Sequence, residues 1–120
     1  MKLDYFLSGK MGLVVITLKG ELDDEAGPLI EKCLTDLDAN SPTGVVAHFA
    51  EATIPEPGFR TFSFLLRSLK SRCKQVRISA LNSETMAALK KAGLLSSSEA
   101  HETLLDALKE IAPKVNAQQE

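Results

Sequence analysis

The chain has 120 residues, 44% of them hydrophobic, with 14 basic and 16 acidic side chains and a formal net charge of −2. That length suits one domain with a single buried core, and with tryptophan absent and aromatics scarce the core falls to Leu, Val, Ile and Ala. The near balance of charge argues against nucleic acid as a partner, since such domains present a strongly basic face, and no apolar run approaches the roughly 20 residues of a membrane span.

The N-terminus MKLDYFLSGKMG lacks the continuous apolar stretch of a signal peptide. Cys33 and Cys73 stand apart, with no CxxC and no histidine at metal-ligand spacing, so they read as reduced, partly buried thiols. The expectation is a soluble cytoplasmic domain with no metal, no cofactor and no membrane insertion.

Leu3, Tyr5 and Leu7 alternate with polar neighbours in KLDYFLS, the period of a half-buried strand. Gly9 to Gly12 supply a turn, and LVVITLKG is a continuous apolar, β-branched run, so the two segments predict an opening hairpin. ELDDEAGP interrupts the pattern. Pro28 suits the first turn of a helix, where its missing N–H leaves no bond unmade, and Leu29, Ile30, Cys33, Leu34 and Leu37 follow at helical spacing. NSPTG ends that helix, and VVAHFA predicts the next strand.

After EATIPEPGF, the residues Phe59, Phe62, Leu65, Leu66 and Leu69 define one helix face. Lys70, Arg72 and Lys74 crowd its C-terminal end, where positive charge complements the helix dipole. QVRISA predicts another strand. Ser83 is positioned to cap a helix ETMAALKKAG closed by Gly93. Ser96 and Glu99 have capping-box spacing before AHETLLDALKEI, and Pro113 is expected to stop this last helix, leaving 113–120 as a polar tail.

The order is ββαβαβαα, give or take a short strand near Leu94, in a single domain over 1–112. Strands alternating with helices of this length predict an α/β layer on a largely parallel sheet. In such sheets, sites gather where the carboxyl ends of strands turn into helices. EATIPEPGF is such a turn.

These residues resemble a STAS domain, the fold of bacterial anti-sigma factor antagonists, from about Leu3 to Ile111. VVITLKGELD is similar to the family's strand followed by Gly-Glu-Leu/Ile-Asp. VVAHFAEATIPEPG stands where the family has an apolar strand, a short loop and Asp-Ser-Ser-Gly, and LKKAGLL and HETLLDAL are similar to its closing helices. The resemblance implies a mixed, mostly parallel sheet opening with a hairpin and packed with about four α-helices. It also implies a non-catalytic role in partner-switching signalling. Family members bind an anti-sigma factor, a serine kinase-type ATPase, and release the sigma factor it holds, which regulates transcription. Phosphorylation of the hydroxyl residue just before the turn glycine abolishes that binding, since a phosphate adds about −1.5 to −2 charge at a helix N-terminus.

The chain departs from this pattern at the switch. Gly58 matches the turn glycine, so the phosphoacceptor slot falls on Pro57, and Glu56 and Pro55 take the preceding serine and aspartate slots. His48 matches an acidic residue at the strand end. No residue from Pro55 to Gly58 carries a hydroxyl, so the usual phospho-switch has no acceptor; Thr61 and Ser63 are the hydroxyl residues just beyond it.

Most candidates have more than one reading. Glu56 is a fixed negative charge in place of a phosphoserine, or a carboxylate that helps cap the helix. Pro57 reads as a helix N1 proline. Gly58 admits a partner's backbone or suits helix packing. Asp23, in GELD, touches a partner or a nucleotide, or is a solvated loop carboxylate or Asx-turn residue. His48 reads as a hydrogen-bonded strand-end histidine in preference to a metal ligand. Phe64 falls opposite the apolar arc of its helix, with Arg60 and Arg67 beside it: the composition of a binding anchor, or a ring that a neighbouring helix covers, widening the buried arc. No nucleophile–base pairing or phosphate-cradling Gly-rich loop is present in the sequence. The leading expectation is a protein-interaction domain without the usual phosphoacceptor. The alternatives are a STAS subunit or scaffold of a larger assembly, such as a lipid-transport ABC complex, or a small-ligand or nucleotide-binding STAS domain.

Overall fold

The computed structural model describes residues 3–10 and 12–119. In chain order the elements are β1 (Asp4–Lys10), β2 (Leu13–Glu21), α1 (Gly27–Asp38), β3 (Gly44–Thr53), a 3-10 turn (Glu56–Gly58), α2 (Phe59–Arg72), β4 (Gln75–Ser79), α3 (Ser83–Lys91), a second 3-10 turn (Ser97–Glu99), β5 (Ala100–His101) and α4 (Leu104–Gln119). The strands form one five-stranded sheet in sequential order, β1-β2-β3-β4-β5. The first pair is antiparallel and the others are parallel. The expected mixed sheet with its opening hairpin and four helices is the observed architecture.

Alternation along β2 divides the sheet into two faces. Val14, Ile16 and Leu18 are buried on the main core side, with Val45, Ala47 and Phe49 of β3 and Val76 and Ile78 of β4. α1 brings Ile30, Cys33, Leu34 and Leu37 to that face and α2 brings Phe62, Leu65, Leu66 and Leu69, the residues their helical spacing selects. Phe49 and Phe62 meet with ring centroids 6.0 Å apart and planes tilted by 59°, pinning α2 to the central strand. On the other face, α4 covers Val46 with Ala107 and Ile111. β3 is therefore buried on both sides, which is why it reads as a continuous apolar run.

Cys33 and Cys73 are free and buried. Burial pushes their thiols up to about 12 and about 11, so both stay protonated at neutral pH.

Four local expectations are corrected. Asn82, not Ser83, caps α3: its extended backbone brings the side-chain oxygen 2.8 Å from the Thr85 N–H. The Ser96–Glu99 capping box closes the second 3-10 turn, and α4 starts later, with the Thr103 hydroxyl accepting from the Asp106 N–H at 3.1 Å. The short strand lies at Ala100–His101, beyond Leu94, because Leu94 ends α3 instead. Its N–H donates to the Leu89 carbonyl and the Gly93 N–H to that of Lys90, with Gly93 at φ +76°, a Schellman closure. Pro113 does not stop α4, which continues to Gln119. Pro113 and Lys109, whose carbonyl loses its helical donor, are both exposed, so water can serve that carbonyl.

Lys70, in the last turn of α2, forms an ion pair with the largely buried Glu99. Burial opposes the Glu99 charge, but the bonds from Lys70 and from the Ser96 backbone and hydroxyl outweigh it and hold its pKa below the ordinary glutamate range. The folded-state pKa is the lower one, so the stabilisation is complete above the unfolded value, about 4.3, and is lost as pH falls through the folded value. Glu99→Gln should thus lower stability by about 1 kcal/mol at neutral pH in urea unfolding. The gap to the wild type should close in acid; a gap that persisted there would assign the loss to cap geometry and not to charge.

Candidate functional site

β3 runs ten residues, past the predicted VVAHFA, because a bulge resets its pairing. Thr17 pairs with His48 but Lys19 pairs with Glu51, so β3 holds one residue more than β2 over this stretch. Beyond the bulge the two strands stay paired to their ends, and the Leu22 N–H donates to the Thr53 carbonyl at 2.8 Å. The β2–α1 loop and the β3–α2 turn thus leave the sheet side by side.

Ile54 is buried beneath the turn. Pro55 is extended, at φ −68° and ψ 160°, and its carbonyl accepts from the Gly58 N–H at 2.8 Å. Glu56 and Pro57 form the exposed crest, and Gly58 is buried. Gly58 has φ −89°, open to any residue, so its conformation does not require glycine. Space does. A Cβ there would lie 1.8 Å from the Leu22 carbonyl oxygen and 2.9 Å from the Asp23 Cα. The close approach at Gly58 is therefore made by the chain's own β2–α1 loop, where the sequence suggested a partner's backbone or helix packing.

That loop holds its shape through Asp23, whose side-chain oxygen accepts from the Glu25 N–H at 2.9 Å, an Asx-turn. The loop and turn border a shallow pocket of about 470 Å³ lined by Asp24, Glu56, Pro57, Arg60 and Thr61. Two carboxylates against one guanidinium make it a poor seat for a phosphate group.

Pro57 lies within the 3-10 turn, two residues before the N1 position of α2, because that helix begins only at Phe59. Glu56 makes no capping hydrogen bond among the described residues, since that turn directs it to solvent. Arg60, Phe64 and Arg67 follow along the outer side of α2, spaced four and three apart. All three are exposed, Phe64 by 37%. The Arg67 Nε donates to the Ser63 carbonyl at 3.4 Å.

His48 does not join this group. It lies within β3 and not at its end, and its Nδ1 is 2.8 Å from the Ser79 hydroxyl oxygen. Thr17, His48, Ser79 and His101 form one row across β2 to β5, with Ser79 fully buried. That row leaves no trace in the sequence, because its members are far apart in the chain and share only their register.

Neither a family model nor a curated protein sequence matches the chain. Solved structures do. An anti-sigma factor antagonist from Mycobacterium paratuberculosis superposes with a TM-score of 0.75 at 20% identity, over 92% of this chain and 95% of that one. The STAS domain of a SulP transporter from Vibrio cholerae gives 0.69 at 19% identity, over 92% and 88%. Unphosphorylated SpoIIAA, an anti-sigma factor antagonist, gives 0.66 at 16% identity, over 92% and 97%. The chain has the STAS fold. Within it the β3–α2 turn, the Asp23 loop and the start of α2 form one surface, while Phe64 and Arg67 extend that surface along the helix. Among the described residues no helix is long and apolar enough to cross a membrane.

Gly58→Ala should lower stability by about 2–3 kcal/mol, because the added methyl collides with main chain that cannot swing aside. Gly27→Ala, where a Cβ meets nothing within 4 Å, should change it by less than about 1 kcal/mol. Pro57→Ser, on the exposed crest, should also stay within about 1 kcal/mol. Equal losses from Gly58→Ala and Gly27→Ala in chemical denaturation would refute the packing role of Gly58.

Proposed function

We propose that this STAS-fold chain is a non-catalytic protein-binding module of a cytoplasmic partner-switching system, one that docks its partner without a phosphorylation switch at the β3–α2 turn. The partner class is a kinase-type ATPase of the anti-sigma factor kind. The observation that carries the reading is Phe64. A phenyl ring left 37% exposed beside Arg60 and Arg67, on the outer side of α2, has the composition of an interface anchor. The turn next to it supports a fixed contact surface. Pro55, Glu56, Pro57 and Gly58 offer no hydroxyl, and Glu56 contributes one permanent exposed charge near the helix start. Asp23 contributes shape, as the Asx-turn residue of the loop packed on Gly58.

Phe64→Ala separates an anchor from a core residue. It should lower stability by less than about 1 kcal/mol and weaken capture of the partner at least about tenfold. A stability loss of about 3 kcal/mol with unchanged binding would place the ring in the core and end the proposal. Affinity capture with the wild-type chain should retain a kinase-type ATPase; retention of an ATP-binding-cassette subunit instead would favour a structural role in a larger assembly.

After incubation with such a kinase and ATP, intact-mass measurement should find the chain unmodified. Stoichiometric phosphate on Thr61 or Ser63 would mean that the switch has moved into α2 and not disappeared.

A further inference from the structure

We infer that β1 is the joint of a homodimer, in which a second copy pairs antiparallel with it about a twofold axis at Leu7. β1 ends the sheet: it pairs with β2 on one side and with no strand among the described residues on the other. Such an edge carries a row of unmatched N–H and C=O groups. Lys10 and Leu13 flank a two-residue connection, so they form the hydrogen-bonded pair that closes it. By alternation Ser8, Phe6 and Asp4 also turn their backbone groups toward β2, and Gly9, Leu7 and Tyr5 turn theirs outward. The approach of Gly9 to Val14 agrees. A Cβ on Gly9 would lie 3.5 Å from the Val14 Cα, the closeness of a pair without mutual hydrogen bonds.

The outward residues are symmetric about Leu7. Laid antiparallel on that centre, Leu7 faces the second copy's Leu7, and Tyr5 faces its Gly9, in both directions. Every outward N–H and C=O between Tyr5 and Gly9 then has a strand partner, the Tyr5 N–H giving up the Asp4 side-chain oxygen it holds at 2.8 Å in the single chain. The same register sets Asp4 opposite Lys10 at both ends, an acidic position against a basic one.

The side chains fit this register on both faces. On the α1 side, the Tyr5 ring meets a glycine, which leaves it room. On the α4 side, Phe6 is 52% exposed and meets Ser8. Ser8 in turn pairs with Val15, so Phe6 of one copy stands in a row with Ser8 and Val15 of the other. An apolar groove of about 350 Å³, lined by Ser8, Gly9, Leu13, Val15 and Leu108, lies along that row between the hairpin and α4. The phenyl ring passes over the small serine into this groove, and the twofold axis repeats the contact. Knob and groove belong to the same surface patch, as an isologous interface requires.

Sedimentation of the full chain should show a reversible dimer. Phe6→Glu should raise its dissociation constant at least about tenfold, with the urea stability of the dilute monomer unchanged. Leu7→Cys should give a disulfide-linked dimer under mild oxidation, whereas Lys19→Cys, exposed on the neighbouring strand, should give none. A chain that stays monomeric even in concentrated solution overturns the proposal. So does a dimer indifferent to Phe6→Glu, which would be joined elsewhere.

Discussion

The β2–α1 loop lies on the β3–α2 turn, backbone against backbone, and the geometry of the whole candidate face depends on that contact. Gly58 makes it possible: any larger residue would drive a carbon into the Leu22 carbonyl. The bond from the Leu22 N–H to Thr53 holds the loop from the sheet side, and the Asp23 Asx-turn holds it from within. The height and direction of the turn are thus set by main chain and not by the side chains on its crest. Pro55, Glu56 and Pro57 decorate a platform whose position they do not determine. A turn built in this way can lose its hydroxyl residues without losing its shape.

Much of the fold was legible because burial leaves a periodic trace. The apolar faces of α1 and α2 emerged residue by residue from helical spacing, and the alternation of strands and helices indicated the parallel sheet. What failed was local in one group and distant in another. Asn82 and Ser83 are both good caps, and only the backbone angles choose between them. Pro113 reads as a breaker, yet an exposed helix tolerates it where water can reach the orphaned carbonyl. β3 looked short because Glu51 ends its apolar run beyond the bulge, where pairing to β2 continues with little burial.

The candidate site was legible by type and not by contact. The sequence identified the Pro55–Gly58 turn and the exposed position of Phe64, since both follow from spacing within one segment. It left the meaning of Gly58 open, because the atoms that crowd it belong to Leu22 and Asp23, far away in the chain. His48 likewise took its significance from Ser79, a strand away. Contacts of this kind are specified by register, and register becomes readable only once the strand order and the bulge are known.

The sequential strand order bears on how the chain acquires its structure. No strand is inserted between two earlier ones, so each new strand adds to an edge that already exists. A chain emerging from the ribosome N-terminus first can therefore build its sheet in a single direction, from the β1–β2 hairpin toward β5, without opening any pair it has made. The local hairpin closes before any long loop must be ordered, which keeps the early loop-closure entropy small. The growing edge is covered at each step by the next strand, and the hairpin that nucleates the sheet stays at its border within the single chain.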